Sequence, residues 1–157
     1  MRSRKNRKET QLGYVAGGDE DPGIHAVAAK ALELIVNGAR VGLGSGRAAS
    51  VFIAKLGARA RAGLRVSGVA TSRTAAALAR EAGIPLIELG EVPLDITVDG
   101  ADEVAPNLDL VKGWGGALVH ERIVAAASSA QVILVGEEKL VPALGQRGRV
   151  PVEVIPL

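Results

Sequence analysis

The chain has 157 residues, enough for one domain with a real core or for most of a larger one. It contains no cysteine, and its two histidines, His25 and His120, are far apart, which excludes disulfides, thiolate metal sites and an all-histidine zinc site. The formal charge of +2 is concentrated at the start: five of the first eight residues, "MRSRKNRK", are basic, and without the first ten residues the body holds 14 basic against 16 acidic residues. Residues 1–20, ending in "AGGDE", lack periodicity and are expected to form a solvated, disordered basic leader. No apolar stretch follows the basic residues and no run approaches the roughly 18 apolar residues of a membrane span, so a cytoplasmic protein with no membrane contact is expected. Tyr14, Phe52 and Trp114 are the only aromatics, too few for a base-stacking surface, and no nucleic-acid partner is expected.

From Asp21-Pro22, a cap followed by proline in the first turn, apolar residues recur at Ile24, Val27, Ala28, Ala31, Leu34 and Ile35 before Gly38, which predicts a helix with a glycine stop. "RVGLG" reads as a strand, and "SGRAASVFIAKLGARA" as a glycine turn entering a helix. The unit repeats: "LRVSGVA" is a strand, "TSRTAAALAREAG" a helix capped by Thr71 or Ser72 and stopped at Gly83, and "IPLIEL" a further strand. "LDITVD" is another apolar run, "GGALVHERIVAAASSA" another helix and "QVILVG" another strand. Apolar strands alternating with helices predict an α/β fold: an open, Rossmann-like, mainly parallel sheet with helices on both faces, spanning residues 21–149. Ligands of such sheets bind where strands end and the following loops begin, which directs attention to "GLGSGRA", "TSRT" and "DGADE".

In the first loop, Gly42, Gly44 and Gly46 allow unusual backbone angles, and the loop opens a helix whose free amides favour an anion. The spacing is not that of a dinucleotide fingerprint, and the lysine of a P-loop is missing. Two readings stay open: a site for an anion or sugar phosphate, to which the Arg47 guanidinium adds, or an ordinary strand-to-helix turn. In "DITVDGADE", Asp99 ends a buried strand and Asp102 follows across the turn at Gly100-Ala101, so both carboxylates can point into the crevice and raise each other's proton affinity; the alternative is a turn whose aspartates cap local amides. Lys112, in "KGWGGA", is either a partner for a developing oxyanion beside glycine amides or a solvated strand end. Glu121 lies four residues after Ala117 and three before Val124, on the small and apolar face of its helix, where partial burial would raise its pKa and make it a base; a surface glutamate is the alternative. His120 points elsewhere and is expected to be exposed.

Taken in order, "GLGSGRAASVFI", "GVATSRTAAALAREAGIPL", "DITVDGADEVAPNLDLVKGWGGALVHERIVA" and "GEEKLVPALGQRGRVPVEVIP" resemble successive motifs of ribose-5-phosphate isomerase A, over roughly residues 24–157. The resemblance implies a metal-free aldose–ketose isomerase that interconverts ribose 5-phosphate and ribulose 5-phosphate in the pentose phosphate pathway. It implies that Glu121 shuttles hydrogen between C1 and C2, that Asp99 assists ring opening with Asp102 beside it, and that Lys112 stabilises the enediolate. It further implies a substrate-binding set of Ser45, Gly46, Arg47, Ala48, Gly100, Ala101, Gly113, Trp114, Gly115 and Lys139, a small-molecule sugar phosphate as partner, no cofactor, and a homo-oligomer. The sequence departs from the family pattern at three places. Arg47 and Ala48 stand where a serine–threonine pair is common, "GIHAV" lacks a lysine common at the first helix, and Trp114 replaces a glycine or polar residue. Family members continue into a small α+β domain, of which residues 150–157 are expected to be the beginning. A non-catalytic sugar-phosphate-binding module and an inactive fragment are the alternative readings.

Overall fold

The computed structural model describes residues 21–154, so the expected leader over residues 1–20 lies outside the described residues. Four helices and six strands follow in the order α1 (Pro22–Leu32), β1 (Ala39–Leu43), α2 (Arg47–Arg61), β2 (Val66–Ala70), α3 (Arg73–Glu81), β3 (Ile96–Gly100), β4 (Glu103–Val104), β5 (Leu110–Val111), α4 (Leu118–Ala126) and β6 (Gln131–Leu134). The main sheet has the order β2-β1-β3-β6 with every pair parallel. β1 sends its chain to β2 on one side and then, through β3, to the other. That reversal opens a crevice between the loops that leave β1 and β3.

The core follows the alternation of the strands. Val41 and Leu43 of β1 and Val98 of β3 share one apolar cluster with Ala28 and Ala31 of α1, Phe52, Ile53 and Leu56 of α2, and Ala75 and Ala79 of α3. Val124 of α4 packs with Val69 and Leu94 in a second cluster. Burying these side chains contributes about 1.5–3 kcal/mol for each large aliphatic or aromatic residue. Gly42, alternating with Val41 and Leu43, faces α4: a Cβ there would run into Thr97 Oγ1 and stand 2.7 Å from Val124 Cγ1.

The helix starts are built as their residues suggest. Asp21 caps α1, its Oδ1 accepting from the N–H groups of Gly23 and Ile24, with Pro22 in the first turn. Ser72 rather than Thr71 caps α3, accepting from Ala75 N–H at 3.1 Å, while Thr71 turns inward to donate to Leu43 O. α1 ends at Leu32, short of the expected Ile35. Leu34 and Ile35 continue in tighter i to i+3 turns, which still bury Ile35 but leave Leu34 exposed.

Two segments depart from expectation. "IPLIEL" forms no strand and touches the sheet at a single parallel bridge, Gly68 to Leu86. Pro85 has no N–H to extend a ladder, and beyond Ile87 the chain turns outward with Leu89 exposed. The small antiparallel pair β4–β5 was not anticipated; two residues per strand are too few to show an alternation. α4 starts at Leu118 rather than Gly115, because Gly113 and Gly116 adopt φ of 110° and 76°, which a right-handed helix does not allow.

The close approach at Gly42 yields an expected outcome. Gly42→Ala must separate β1 from Thr97 and from α4, and should destabilise the chain by about 1–3 kcal/mol in chemical denaturation. Gly38→Ala, at a loop position with open space around it but φ of 89°, should cost less than Gly42→Ala.

Candidate active site

The loops after β1 and β3 meet because each needs the other. Gly44 N–H donates to Val98 O, and a Cβ on Gly44 would stand 2.5 Å from Asp99 Cα, so only glycine lets the two strand ends close. Next, Ser45 N–H donates to Asp99 Oδ1 at 3.0 Å, and the Ser45 hydroxyl is held by Thr71 Oγ1 and Ser72 Oγ at 2.9 and 2.8 Å. Gly46 then turns the chain with φ of 91° into α2, whose first turn has no side-chain cap. The result is a cavity of about 530 Å³ onto which Ser45, Gly46, Arg47 and Ala48 open from one side. Arg47 extends at the rim, its guanidinium 3.6 Å from Asp21 Oδ2, and both side chains are mostly exposed.

Gly100, Ala101, Asp102, Lys112, Gly113, Gly115 and Glu121 line the cavity as well, with Lys139 from the segment after β6. Lys112 is the centre of charge. Its ammonium donates to Asp99 Oδ2 at 2.9 Å and to Gly100 O at 2.6 Å, and lies 3.2 Å from Glu121 Oε2. Lys139 is similarly fixed, donating to Ala101 O at 2.7 Å.

Glu121 is 5% exposed, and its Oε2 lies within ion-pair distance of Lys112 without making a hydrogen bond. Loss of solvent pushes its pKa above the ordinary carboxylate value, and the negative charge of Asp99 adds to that; the nearby Lys112 opposes the rise without cancelling it. A carboxylate so placed is suited to taking up and returning a proton. The reading of Glu121 as a buried rather than a surface residue therefore holds, and neighbouring His120 is exposed as expected.

Asp99 and Asp102 differ in depth. Asp99 is 1% exposed and does not line the cavity; it lies beneath, tied to Ser45, Lys112 and its own neighbour Gly100 N–H. Asp102 reaches the cavity and accepts from Trp114 N–H at 3.0 Å. The expectation that both carboxylates point into the crevice thus holds for Asp102 alone. Trp114 also stays off the cavity wall: its ring is half exposed and its indole N–H donates to Arg149 O at 2.8 Å.

Several lining residues escaped the sequence reading as site residues. Ile24 and Val27 of α1 and Gly136, Glu137 and Glu138 after β6 all border the cavity. The acidic pair was visible in "GEEKL", but nothing in its spacing tells a rim carboxylate from a solvated one. Among the described residues no group of three or more histidine, cysteine or acidic side chains is arranged to hold a metal ion, and no helix is long and apolar enough to cross a membrane.

The raised pKa of Glu121 gives a signed pH dependence. Its neutral form is favoured by the fold, so this contribution to stability is complete below the ordinary carboxylate pKa and is lost as pH rises through the elevated folded value. Glu121→Gln removes that loss. Denaturation series across pH should show the variant gaining on the parent through that window and holding a constant difference above it.

Comparison with known proteins adds a lineage to this geometry. The family described as ribose 5-phosphate isomerase A (phosphoriboisomerase A) matches residues 67–157. Ribose-5-phosphate isomerase A of Nitrobacter hamburgensis is 52% identical over 130 residues, covering 82% of this chain and 56% of that protein. The Deinococcus radiodurans protein of the same name is 46% identical over 131 residues, covering 82% and 58%. The solved ribose 5-phosphate isomerase A of Methanocaldococcus jannaschii superposes with a TM-score of 0.78 at 42% identity, over 80% of this chain and 57% of that one. A D-ribose-5-phosphate isomerase solved in complex with phospho-erythronic acid also gives 0.78, at 40% identity over 80% and 56%. This chain thus spans a little over half the length of the relatives it matches. From its parallel sheet, its ordered motifs and these likenesses, the chain belongs to the ribose 5-phosphate isomerase A family.

Proposed function

We propose that the cavity carries out aldose–ketose isomerisation of D-ribose 5-phosphate and D-ribulose 5-phosphate through an enediolate, as part of the non-oxidative pentose phosphate pathway. The observation that carries the reading is Glu121: a buried carboxylate with a raised pKa whose Oε2 lies 3.2 Å from a lysine that can balance charge developing next to it. The likeness to a relative solved with phospho-erythronic acid, a four-carbon sugar-acid phosphate, supports a sugar phosphate as the ligand.

In this reading Glu121 removes the C2 proton of the open-chain aldose and returns it to C1, while the proton of the C2 hydroxyl is transferred to the C1 oxygen. Between the two transfers the negative charge lies on oxygen, and the Lys112 ammonium stabilises it. Asp102, which lines the cavity, handles the sugar hydroxyls during ring opening. Asp99 acts from beneath by holding Lys112 and the Ser45 loop. The phosphate takes the end formed by Ser45, Gly46, Arg47 and Ala48, where the uncapped start of α2 and the Arg47 guanidinium favour an anion. Gly100, Ala101, Gly113, Gly115 and Lys139 complete the substrate walls, and Trp114 contributes through its backbone. No metal takes part in the step. We further propose residues 21–149 as the catalytic unit, residues 150–157 as the start of a second, smaller domain, a homo-oligomeric assembly and a cytoplasmic setting.

Two kinetic outcomes follow. The purified chain should convert ribose 5-phosphate to ribulose 5-phosphate in the presence of a chelator, and Glu121→Gln should lower kcat by about 10²–10⁴-fold with the fold intact by circular dichroism. Full turnover in that variant removes Glu121 from the role of base, and ligand binding without turnover in the parent chain points to a sugar-phosphate-binding module. Arg47→Ala should raise KM for ribose 5-phosphate about 10-fold while leaving kcat within about twofold, since the phosphate contact is the same before and during the proton transfer.

A further inference from the structure

Next to Asp102 stands a carboxylate to which the reaction assigns nothing. Glu103 opens β4, is 1% exposed, and its two oxygens accept from the backbone N–H groups of Gly145 and Arg147, each at 2.5 Å. Burial by itself would raise its pKa, but the N–H groups of Arg147, Gly145, Gln146 and Gly148 outweigh that and leave it below the ordinary carboxylate value. A buried anion in a cradle of backbone amides is a strong local anchor.

What it anchors lies across the site. After Arg147, the chain runs along the turn that joins Lys112 to α4 and grips it repeatedly. A Cβ on Gly148 would stand 2.6 Å from Trp114 Cζ2, and Arg149 O accepts the Trp114 indole N–H. A Cβ on Gly113 would stand 3.1 Å from Pro151 Cγ. Glu153 Oε2 accepts from Val119 N–H at 2.8 Å, in the first turn of α4, which has no cap of its own because Ala117 stands at the cap position. At the other end, the Arg147 guanidinium donates to Asp102 O at 3.0 Å. The gripped turn, residues 113–119, lies between the two groups whose spacing matters most, Lys112 and Glu121.

We propose that Glu103 is a positioning residue: by fixing residues 145–148 it holds the strap 145–153 against the turn 113–119, and so sets Lys112 and Glu121 at working distance. The inference rests on reading the cavity as an isomerase site, but its mechanical half does not. Glu103 does not itself line the cavity; it also pairs with Val111, the neighbour of Lys112, across β4–β5, so the Trp114 signal is what separates the strap from that strand contact.

Trp114 is the only tryptophan in the sequence, so its fluorescence reports on the strap directly. In Glu103→Gln, the Trp114 emission should move to the red and become more open to acrylamide quenching while far-UV circular dichroism stays unchanged. Turnover per folded chain should fall on the order of 10–100-fold, mostly in kcat rather than KM. Glu153→Gln, at the exposed far end of the strap, should give a smaller fall. Combining the two should add nothing to the loss in Glu103→Gln alone, because a released strap has no grip left to lose. An unchanged Trp114 signal in Glu103→Gln, a changed signal with unchanged kcat, or strictly additive losses in the double variant would each overturn the proposal. If Glu103→Gln does not fold, Glu153→Gln decides by the same two readouts: quenching and kcat both altered support the strap, and either one unaltered rejects it. A parent chain without turnover defeats the functional reading separately, and the Trp114 signal then decides whether Glu103 fixes the turn.

Discussion

Asp99 accepts hydrogen bonds from donors that arrive from three places: Ser45 N–H after β1, Gly100 N–H at the end of its own strand, and the Lys112 ammonium after β5. The two strand ends are brought together by backbone pairing of β1 with β3, and Gly44 removes the side chain that would keep them apart. Given that contact, one buried carboxylate orients the loop after β1 with one oxygen and the lysine with the other. The crevice expected at the reversal of a parallel sheet thereby becomes a site with defined chemistry.

The charges are unevenly satisfied, and the unevenness is informative. Lys112 gives hydrogen bonds to Asp99 and to Gly100 O, but only proximity to Glu121. A carboxylate buried beside one lysine and near a second acid is costly to keep ionised, and a stable fold gains nothing by retaining one. Proton transfer does gain, because a base must hold a proton part of the time, and a fully bonded carboxylate resists doing so. Asp99 thus fixes geometry through its hydrogen bonds, while burial leaves Glu121 with a raised proton affinity.

Much of this was legible in the residues. Helical spacing and caps located α1 to α4 to within a few positions, since Asp21, Ser72 and the glycine stops act locally. The apolar runs located the parallel strands because both faces of the sheet are covered. "IPLIEL" failed because its apolar content is real but its pairing is not: Pro85 and the outward turn after Ile87 leave one bridge. In the site, Glu121 was legible from its face on the helix, whereas the depths of Asp99 and Asp102 were not, because three residues across a glycine turn do not say which carboxylate lies beneath. Glu103 was out of reach altogether. Its partners are 42 and 44 residues away, and no periodicity links a strand residue to a glycine-rich segment so distant.

That separation also bears on the order in which the chain can assemble. β1 pairs with β3 about 55 residues on, β3 with β6 about 34 further, and the strap that steadies Glu121 is made of residues 145–153. Contacts so remote in sequence form slowly, because each must first close a long loop of unstructured chain. As the chain emerges in sequence order, α1 to β2 can pack early, but the acid–lysine cluster has no rigid frame until the last of these segments arrives. The nascent domain therefore passes through a stage with much of its sheet formed and its chemical groups present but unaligned, and reactivity would appear late and abruptly rather than growing with length.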